Sequence, residues 1–302
     1  MPTSFNQSVI DEFRANQGQV GGSFEGGDLL LLTTTGARSG AERTVPLGYV
    51  RHDGLLMVVG SNLGSERHPD WYHNLLAHPL VRVELGAEEF EAIAVPAEGE
   101  RRDRLFAHVV RAEPGYGTYQ ENTARALPVV VLEPAAVSED SPAEVRNLAD
   151  KLMEVHVWLR GQLGHVRDEV DAHFAARAAH RGPGAPPAPG LGFRIRQRCL
   201  AFCQSLEFHH VAEDTHLFPG LEARHPHLAD VFERLRTEHR TVARLQGELG
   251  ALLADIAGAD PERFRSDLAR MSAELTAHLE YEEESLLPLL SEIPFPPVRP
   301  VS

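Results

Sequence analysis

The distribution of apolar residues along the chain changes character near residue 137. Before that point, short runs rich in Val, Leu and Thr are separated by Gly, Pro and an Asp-Gly pair, a pattern typical of strands joined by tight turns. The runs predict six strands, over residues 28–35, 44–51, 55–61, 80–85, 88–95 and 127–132. Helical spacing interrupts them at 70–78 and 100–112. Asp53-Gly54 predicts a hairpin, and the segment as a whole predicts a small, mostly antiparallel barrel.

Beyond residue 142 the apolar residues recur every three or four positions, which indicates helices. Four long helices are predicted, at about 142–179, 191–217, 226–257 and 261–287, with Ser141 as N-cap and Pro142 at the first helical position. Residues 181–190 are rich in proline and glycine and are predicted to be non-helical. Four amphipathic helices with short connections predict a bundle.

The predicted fold class is therefore α+β with two domains, a barrel followed by an all-α four-helix bundle. The boundaries place the barrel at 1–137, a linker at 138–146, the bundle at 147–292 and a proline-rich tail at 293–302.

Composition narrows the class of partner. The 302 residues are 42% hydrophobic and 24% charged, with a formal net charge of −15, which argues against nucleic acid or an anionic membrane as the main partner. No apolar run is long enough for an integral membrane segment, and no signal peptide is predicted. Cys199 and Cys203 do not form a disulfide framework, so a cytoplasmic location is predicted. These two residues are interpreted either as small apolar core residues or as a redox relay.

Two segments of the last third repeat one pattern. Residues 209–219 and 278–288 both read as His, three residues, Glu, a second acid, two variable residues, two apolar residues and Pro. His and Glu four positions apart lie on the same face of a helix, so two such helices can enclose metal ions. The other two predicted helices contribute His156 and His239.

The predicted metal ligands comprise four imidazoles and two carboxylates: His156, His209, Glu213, His239, His278 and Glu282. Such a set suits two iron ions or, alternatively, manganese, whereas structural zinc uses fewer ligands. His210 and Asp214 are also four apart, about 100° around the helix. Only one of the two pairs is expected to face the bundle axis, and the repeat selects His209 and Glu213. His216 is expected to orient a ligand by hydrogen bonding.

This region, over about 145–290, resembles the hemerythrin-like, His-His-Glu cation-binding family. The resemblance rests on the motifs around His156, at 208–219, at 238–239 and at 278–288. It implies a non-haem di-iron centre in a four-helix bundle that handles O2, NO or peroxide. Oxygen-carrying members have a second histidine four residues after the position of His239. Ala243 stands there in this chain, which favours sensing or redox chemistry.

The first half of the chain carries three polar motifs. Residues 33–40, followed by Arg43, place hydroxyls, glycines and arginines after a strand, which predicts a cradle for phosphate or carboxylate; the alternative is a glycine turn with solvated arginines. Residues 60–75 form a polar loop and a helix with adjacent aromatic residues, interpreted as core or as a cofactor wall. Residues 113–120 contain two tyrosines that could border a flat ligand.

Together, in this order, the motifs resemble the deazaflavin-dependent nitroreductase family over about 26–134, most strongly at 32–40, 68–75 and 127–134. The resemblance implies a split β-barrel of the FMN-binding type, often homodimeric. It also implies coenzyme F(420) and hydride transfer to a quinone, nitro compound or activated alkene. The implied cofactor-binding residues are Thr35, Gly36, Arg38, Ser39, Gly40, Arg43, Ser61, Asn62 and Trp71, and the implied catalytic residues are Ser61, Tyr116 and Tyr119.

In detail, the resemblance implies that Arg38 and Arg43 hold the coenzyme's phosphate or polyglutamate tail. Ser61 would lie near the deazaflavin ring, and Tyr116 and Tyr119 would lie on the substrate side.

The motifs also depart from the family. Glu113 and Gly48 stand where members can have tyrosine, and Asn62 stands where lysine can occur, so a roomier pocket is expected. His68 and His73 are the nearby candidates for a proton donor.

The combination of the two halves supports three functional hypotheses. In the first, an enzyme passes hydride to a small-molecule electron acceptor and its metal pair reduces O2, peroxide or NO. In the second, the bundle is a binding module that senses O2, NO or iron and adjusts the reductase. In the third, FMN or another flat cofactor replaces the deazaflavin.

Overall fold

The computed structural model describes residues 4–22, 25–135, 145–179, 190–254 and 259–295. The chain divides after residue 135 into two compact units. The N-cap Ser141, Pro142, the non-helical segment up to residue 189 and the tail beyond residue 295 lie outside the described residues.

The first unit contains a closed barrel of six strands. They are β1 (Leu29–Thr35), β2 (Glu42–His52), β3 (Leu55–Val59), β4 (Leu80–Leu85), β5 (Glu88–Pro96) and β6 (Val129–Pro134). Their order around the barrel is β1-β2-β3-β6-β5-β4, every pairing is antiparallel, and β4 closes the barrel against β1. The predicted fold class is confirmed, and each predicted strand overlaps one observed strand.

Successive residues of a strand face opposite sides of the sheet, and both sides of β1 are buried. Leu30 and Leu32 pack inside the barrel with residues of every other strand. Leu29 and Leu31 pack outside, against Phe13 of helix α1 (Ser4–Ala15). This explains why the apolar run of β1 is continuous rather than alternating. The sequence pattern had not predicted α1.

Three further helices belong to this unit: α2 (Asp70–Ala77), α3 (Gly99–Ala112) and α4 (Gly115–Glu121). Helix α2 contributes Trp71 and Leu75 to the barrel interior. Helix α3 covers the outer face of β3 and β6. Helix α4 carries Tyr116 and Tyr119 and was not predicted as a helix.

Left-handed backbone conformations occur in several turns of the barrel, among them the β2–β3 hairpin and the loop after β3. The β2–β3 hairpin closes through Asp53 and Gly54, with φ of 48° and 77°, as its Asp-Gly sequence predicted. The loop after β3 is more demanding, because Asn62, Leu63 and Gly64 have consecutive φ values of 46°, 54° and 80°. Such a run costs about 1–2 kcal/mol for each residue other than glycine.

Arg125 holds this strained loop in place. Its guanidinium donates to the carbonyl oxygens of Gly60 at 3.0 Å, Ser61 at 2.7 Å and Ser65 at 2.7 Å. Three main-chain acceptors on one planar donor fix the loop's path, since the fork geometry of arginine leaves little rotational freedom.

The second unit is built from four long helices, α5 (Leu148–Ala179), α6 (Gly190–Ala212), α8 (Ala229–Ala254) and α9 (Pro261–Leu290). Helix α6 begins at Gly190, one residue earlier than predicted, and continues through a π-helical turn (Glu213–Leu217) into the short α7 (Phe218–Arg224). Helix α9 is capped by Asp260, whose carboxylate accepts the amide N–H of Arg263 at 2.8 Å.

The bundle core consists of apolar clusters with a polar layer between two of them. One cluster contains Leu159, Leu206, Val242 and Leu275. The other contains Leu152, Phe218, Phe232 and Leu286. On each helix the predicted metal ligands lie between these two sets of residues, so the fold buries them at one level. Within the described residues no helix is both long and apolar enough to cross a bilayer.

Gly54 and Gly64, two of the glycines with positive φ, yield a stability prediction. A Cβ at Gly54 meets no atom within 4 Å, whereas a Cβ at Gly64 would lie 2.9 Å from Tyr119 O and from Asn122 Cβ. Gly54→Ala is expected to lower the free energy of unfolding by about 1–2 kcal/mol through backbone strain. Gly64→Ala is expected to incur the same strain and to lose about 1–3 kcal/mol more through overpacking.

Denaturant unfolding measures both costs when Trp71 fluorescence is followed in a Trp158→Phe background, because the chain contains only these two tryptophans. Equal losses in the two variants would contradict the close packing of the Gly64 loop against α4.

Candidate functional site

The polar layer of the bundle contains five imidazoles and two carboxylates. Its members, each with at most 10% of the residue or side chain exposed, are His156, His209, His210, Glu213, His239, His278 and Glu282. All six predicted ligands are therefore in one layer, together with His210. Buried polar groups of this number require partners.

The ring nitrogens of the layer converge in two corners. In the first corner, His156 Nε2 lies 3.1 Å from His209 Nε2. In the second, His278 Nε2 lies 3.2 Å from His210 Nε2, and the ring of His239 stacks on His210 at 4.0 Å. The second corner thus groups three imidazoles whose donor atoms lie within 4.8 Å of one another.

Each glutamate reaches both corners. Glu282 Oε2 lies 3.5 Å from His156 Nε2 and 3.7 Å from His278 Nε2. Glu213 Oε1 lies 3.5 Å from His209 Nε2, and its Oε2 lies 3.6 Å from His239 Nε2. The carboxylates therefore occupy the place of bridges between two imidazole-rich positions.

The expectation that only one of two histidine–acid pairs faces the interior is wrong for the histidines. His209 and His210 both enter the layer, one in each corner. Adjacent helical residues diverge by about 100°, and two corners on either side of the inward face of α6 accommodate that divergence. The adjacent His209-His210 pair was the available signal for His210.

The two acids of these pairs, unlike the histidines, take different positions relative to the layer. Glu213 lies in the layer, whereas Asp214 lies behind it and contacts His239 Nδ1 at 3.0 Å. His216 is exposed, so Asp214 provides the hydrogen bond that had been expected of His216. Both acids lie in the π-helical turn, a distortion that often marks functional positions in helices.

The electrostatics of the layer call for a cation. Both carboxylate oxygens of Glu213, both of Glu282, and His239 Nε2 are buried without a hydrogen-bond partner among the described residues. Burial, together with the charge of Glu282, raises the pKa of Glu213 well above its ordinary value. Orphaned buried oxygens of this kind are costly unless an ion satisfies them.

The imidazoles are suited to ligate that cation. Burial and the neighbouring rings of His239 and His209 lower the pKa of His210. Burial also lowers the pKa of His209 and of His239. These rings are therefore neutral near pH 7 and retain a lone pair, as metal binding requires. The residues present fit a pair of transition-metal ions.

In the barrel unit, the predicted cradle is a tight turn after β1. The amide of Gly36 donates to Ala41 O at 2.9 Å, and the amide of Gly40 donates to Gly36 O at 2.8 Å. Gly40 has a φ of 64°, and a Cβ at Gly36 would lie 2.5 Å from Ser39 Oγ. The positive φ of Gly40 favours glycine there, whereas a side chain at position 36 would require the Ser39 side chain to move.

Asn74 of α2 fastens the turn to the barrel. Its side chain accepts the amide N–H of Ala37 at 3.0 Å and donates to Thr34 Oγ1 at 3.1 Å. Arg38 and Arg43 are exposed beside the turn, and Arg43 donates to the carbonyl of Glu42 at 3.0 Å. The turn thus presents two guanidinium groups, as an anionic ligand requires.

The other implied cofactor contacts are distributed differently. Ser61 and Asn62 lie in the strained loop held by Arg125. Trp71 is 7% exposed and packs in the barrel core. His68 contacts Arg125 through Nδ1 at 3.0 Å, and burial and the Arg125 charge lower its pKa. Arg125 had not been singled out, because its three acceptors are more than fifty residues away in sequence.

Tyr116 borders an open pocket of about 550 Å³, part of which is continuous with solvent. It is lined by Glu25, Gly27, Asp28, Leu29, Gly48, Tyr49, Glu113 and Tyr116. Tyr119 stands beside it, with its ring centroid 6.1 Å from that of Tyr116. Burial and Glu113 raise the pKa of Tyr116, so the phenol remains protonated. Two positions that depart from the resembled family, Gly48 and Glu113, face this same pocket.

The two cysteines of α6 are part of the bundle core. Cys199 is buried in an apolar cluster, and neither residue forms a disulfide within the described chain. Burial raises the pKa of Cys199 and raises that of Cys203 to about 12. Their thiolates are therefore disfavoured, which supports the packing interpretation.

Comparison with known proteins assigns both units. Residues 6–134 match the family model described as F(420)H(2)-dependent quinone reductase, and residues 147–290 match the Hemerythrin HHE cation binding domain. Two Mycobacterium tuberculosis proteins, from strains H37Rv and CDC 1551, are named F(420)H(2)-dependent quinone reductase. Each is 38% identical over 124 residues, which is 40% of this chain and 83% of the relative.

A solved structure described as an F(420)-H(2) dependent reductase is 40% identical, covers 35% of this chain and 94% of that chain, and has a TM-score of 0.33. The Mycobacterium tuberculosis relatives are 38% identical to this chain and are matched over 83% of their length, which establishes the family of the first unit. The chain belongs to the F(420)H(2)-dependent quinone reductase family through its first unit, and its second unit carries a hemerythrin HHE cation-binding domain.

Proposed function

We propose that this protein is an oxidoreductase with two redox sites. The barrel binds reduced coenzyme F(420) and passes hydride to a quinone-type acceptor. The bundle binds two iron ions and handles O2, peroxide or NO. The observation that carries the second part is the buried layer of five imidazoles around two carboxylates whose oxygens have no hydrogen-bond partner among the described residues. The first part rests on family membership and on the exposed arginines of the β1 turn.

The domain boundaries belong to the same proposal: barrel 1–137, linker 138–146, bundle 147–292 and tail 293–302. The proposal also includes a cytoplasmic location, a homodimeric state, and iron rather than manganese as the bound metal.

Different residues of the barrel unit would contact different parts of the coenzyme. When bound, F(420) supplies hydride chemistry, and the protein supplies orientation and electrostatics. Arg38 and Arg43 would hold the anionic tail, because their guanidinium groups are exposed at a rigid turn. Ser61 and Asn62 would contact the ring system from a loop whose conformation is fixed by Arg125.

The tyrosine-lined pocket would receive the acceptor. Gly48 contributes no side chain to this pocket, and the Tyr116 hydroxyl lies 3.3 Å from the position that a Cβ on Gly48 would occupy. The protonated phenol can donate a hydrogen bond to a quinone carbonyl oxygen. Three carboxylate residues line the same pocket, which favours a neutral quinone over an anionic one. Nitro compounds and enones are the alternative acceptors, and FMN is the alternative cofactor.

The bundle would hold its metal pair through all seven residues of the layer. Bound iron supplies reversible one-electron chemistry. Glu213 and Glu282 each reach both corners, so both carboxylates would help to hold the metal pair together with the imidazoles. The apolar clusters on either side exclude water from the layer.

The first prediction of this proposal concerns the coenzyme's tail. Arg38→Gln and Arg43→Gln are each expected to weaken F(420) binding by about 1 kcal/mol, roughly fivefold, because exposed ion pairs are screened by solvent. A fluorescence titration measures the dissociation constant, and raising the salt concentration should shrink the difference from wild type. Arg104→Gln on α3, which removes an exposed arginine from another surface, is the control. Unchanged affinity in both turn variants would contradict the cradle.

The second prediction concerns the acceptor pocket. Glu113→Gln removes one of its negative charges, so the KM for a sulfonated naphthoquinone is expected to fall by about fivefold, the effect of roughly 1 kcal/mol of screened repulsion. The KM for the neutral quinone menadione should remain unchanged. Glu121→Gln, an exposed acid at the end of α4 that does not line the pocket, is the matched control. A parallel change for both quinones would place the acceptor elsewhere.

The third prediction concerns the metal centre. Glu282→Gln is expected to abolish iron binding, because Glu282 reaches both corners and an amide is a poor bridge. Metal analysis of the purified protein should give two iron ions per wild-type chain and none for the variant. Its metal-free form should melt no lower than metal-free wild type, since a buried charge has been removed. Glu280→Gln, exposed on the same helix, should retain the metal.

The same pair of variants separates enzymatic coupling from sensing. If O2 consumption driven by reduced F(420) is lost in Glu282→Gln and kept in Glu280→Gln, the two sites act in one reaction. If quinone reduction responds to oxygen only in the iron-loaded protein, while no O2 is consumed, the bundle is a sensing module. An iron-free wild-type protein would refute the metal part of the proposal.

A further inference from the structure

Each metal-facing glutamate of the repeat is followed by a second acid that the proposed metal pair does not use. These acids are Asp214 and Glu283. Glu283 Oε1 lies 2.8 Å from His156 Nδ1, and Asp214 Oδ1 lies 3.0 Å from His239 Nδ1. In both cases the acid contacts the outer nitrogen of an imidazole whose Nε2 faces the layer.

A third carboxylate repeats this arrangement. Glu238 directly precedes His239 on α8, and its Oε2 lies 3.1 Å from His278 Nδ1. Each of the three acids is thus adjacent in sequence to a residue of the layer and holds an imidazole of a different helix. The acid in the π-helical turn contacts an imidazole of α8, the acid of α8 contacts an imidazole of α9, and the acid of α9 contacts an imidazole of α5.

Arginines support two of these carboxylates from outside. Arg160, one turn after His156 on α5, donates to Glu283 Oε1 at 2.6 Å. Arg234, one turn before Glu238, donates to Glu238 Oε1 at 2.7 Å, and its guanidinium lies 3.5 Å from the ring centroid of Tyr281. The acids are therefore fixed by contacts on both sides, which restricts the rotation of the imidazoles they hold.

We propose that Asp214, Glu238 and Glu283 are positioning residues of the metal centre. By accepting a hydrogen bond from the Nδ1–H group of each imidazole, the carboxylates fix the tautomer whose Nε2 lone pair is directed into the layer. Their negative charge makes the three imidazoles stronger donors, which favours the more oxidised metal. Each acid is adjacent in the chain to a residue of the layer. One element therefore positions an imidazole that belongs to another helix. This inference rests on the proposed binding of iron.

The test uses the full-length protein loaded with ferrous iron under anaerobic conditions. Glu283→Gln keeps the shape of the side chain and removes its charge. Competition with a ferrous chelator should show affinity lower by about 10- to 100-fold, the usual effect of losing such a contact. The reduction potential, measured by spectroelectrochemistry, should become more positive, because a weaker imidazole donor stabilises ferric iron less. Asp214→Asn should shift both quantities in the same direction through His239.

The matched control is Glu284→Gln, which removes the same charge one residue further along α9 from an exposed position. It should leave affinity and potential at wild-type values. If Glu283→Gln only lowers the melting temperature of the metal-free protein, with iron affinity and potential unchanged, the acid is merely structural and the inference is overturned.

The two proposals fail separately in this experiment. Wild-type protein that binds no iron refutes the proposed metal function, and this inference with it. Wild-type protein that binds iron, together with Glu283→Gln and Asp214→Asn variants indistinguishable from Glu284→Gln, refutes this inference alone.

Discussion

The bundle depends on one electrostatic constraint, the burial of two carboxylates side by side. Glu213 and Glu282 are 3% and 0% exposed, and none of their four oxygens has a hydrogen-bond partner among the described residues. Apolar clusters on either side offer no compensation. A pair of carboxylates in such surroundings is stable only with bound cations or with shared protons. The imidazoles of His209, His210 and His239, whose pKa values are lowered by burial, suit the first solution. The register of all four helices follows from placing the five imidazoles at one level.

The barrel meets a different constraint, because the side chains that form its central cluster are apolar. Leu30 and Leu32 face the interior and their neighbours face α1, so the strands themselves leave no room for chemistry. The functional groups are consequently displaced to the connections. The β1 turn presents arginines, and the loop after β3 adopts three left-handed residues that Arg125 holds through main-chain carbonyls. Backbone strain concentrated in a connection of this kind is typical of ligand sites.

Much of this could be predicted from the sequence because the decisive patterns are local. Runs rich in Val, Leu and Thr, bounded by turn residues, predicted every strand, and His and Glu four residues apart predicted residues that the structure brings into one buried layer. His210 was missed because one inward direction was assumed where two corners exist. Arg125 was missed because its contacts are distant in sequence, and Trp71 could not be assigned because core and cofactor wall demand the same residue type. Helix α1 was missed because its three buried residues, Val9, Ile10 and Phe13, are too few for a clear period.

The repeated motif supplies residues of the polar layer and also the acids that lie directly behind it. A spacing of four residues puts His209 and Glu213, or His278 and Glu282, on the same face of a helix. The next residue is rotated by about 100°, so it turns from the bundle axis towards the adjacent helix. An acid at that position therefore meets the back of a neighbouring imidazole, as Glu283 meets His156 and Asp214 meets His239. The acid that follows each glutamate therefore allows one short segment to orient an imidazole on a helix that is distant in sequence.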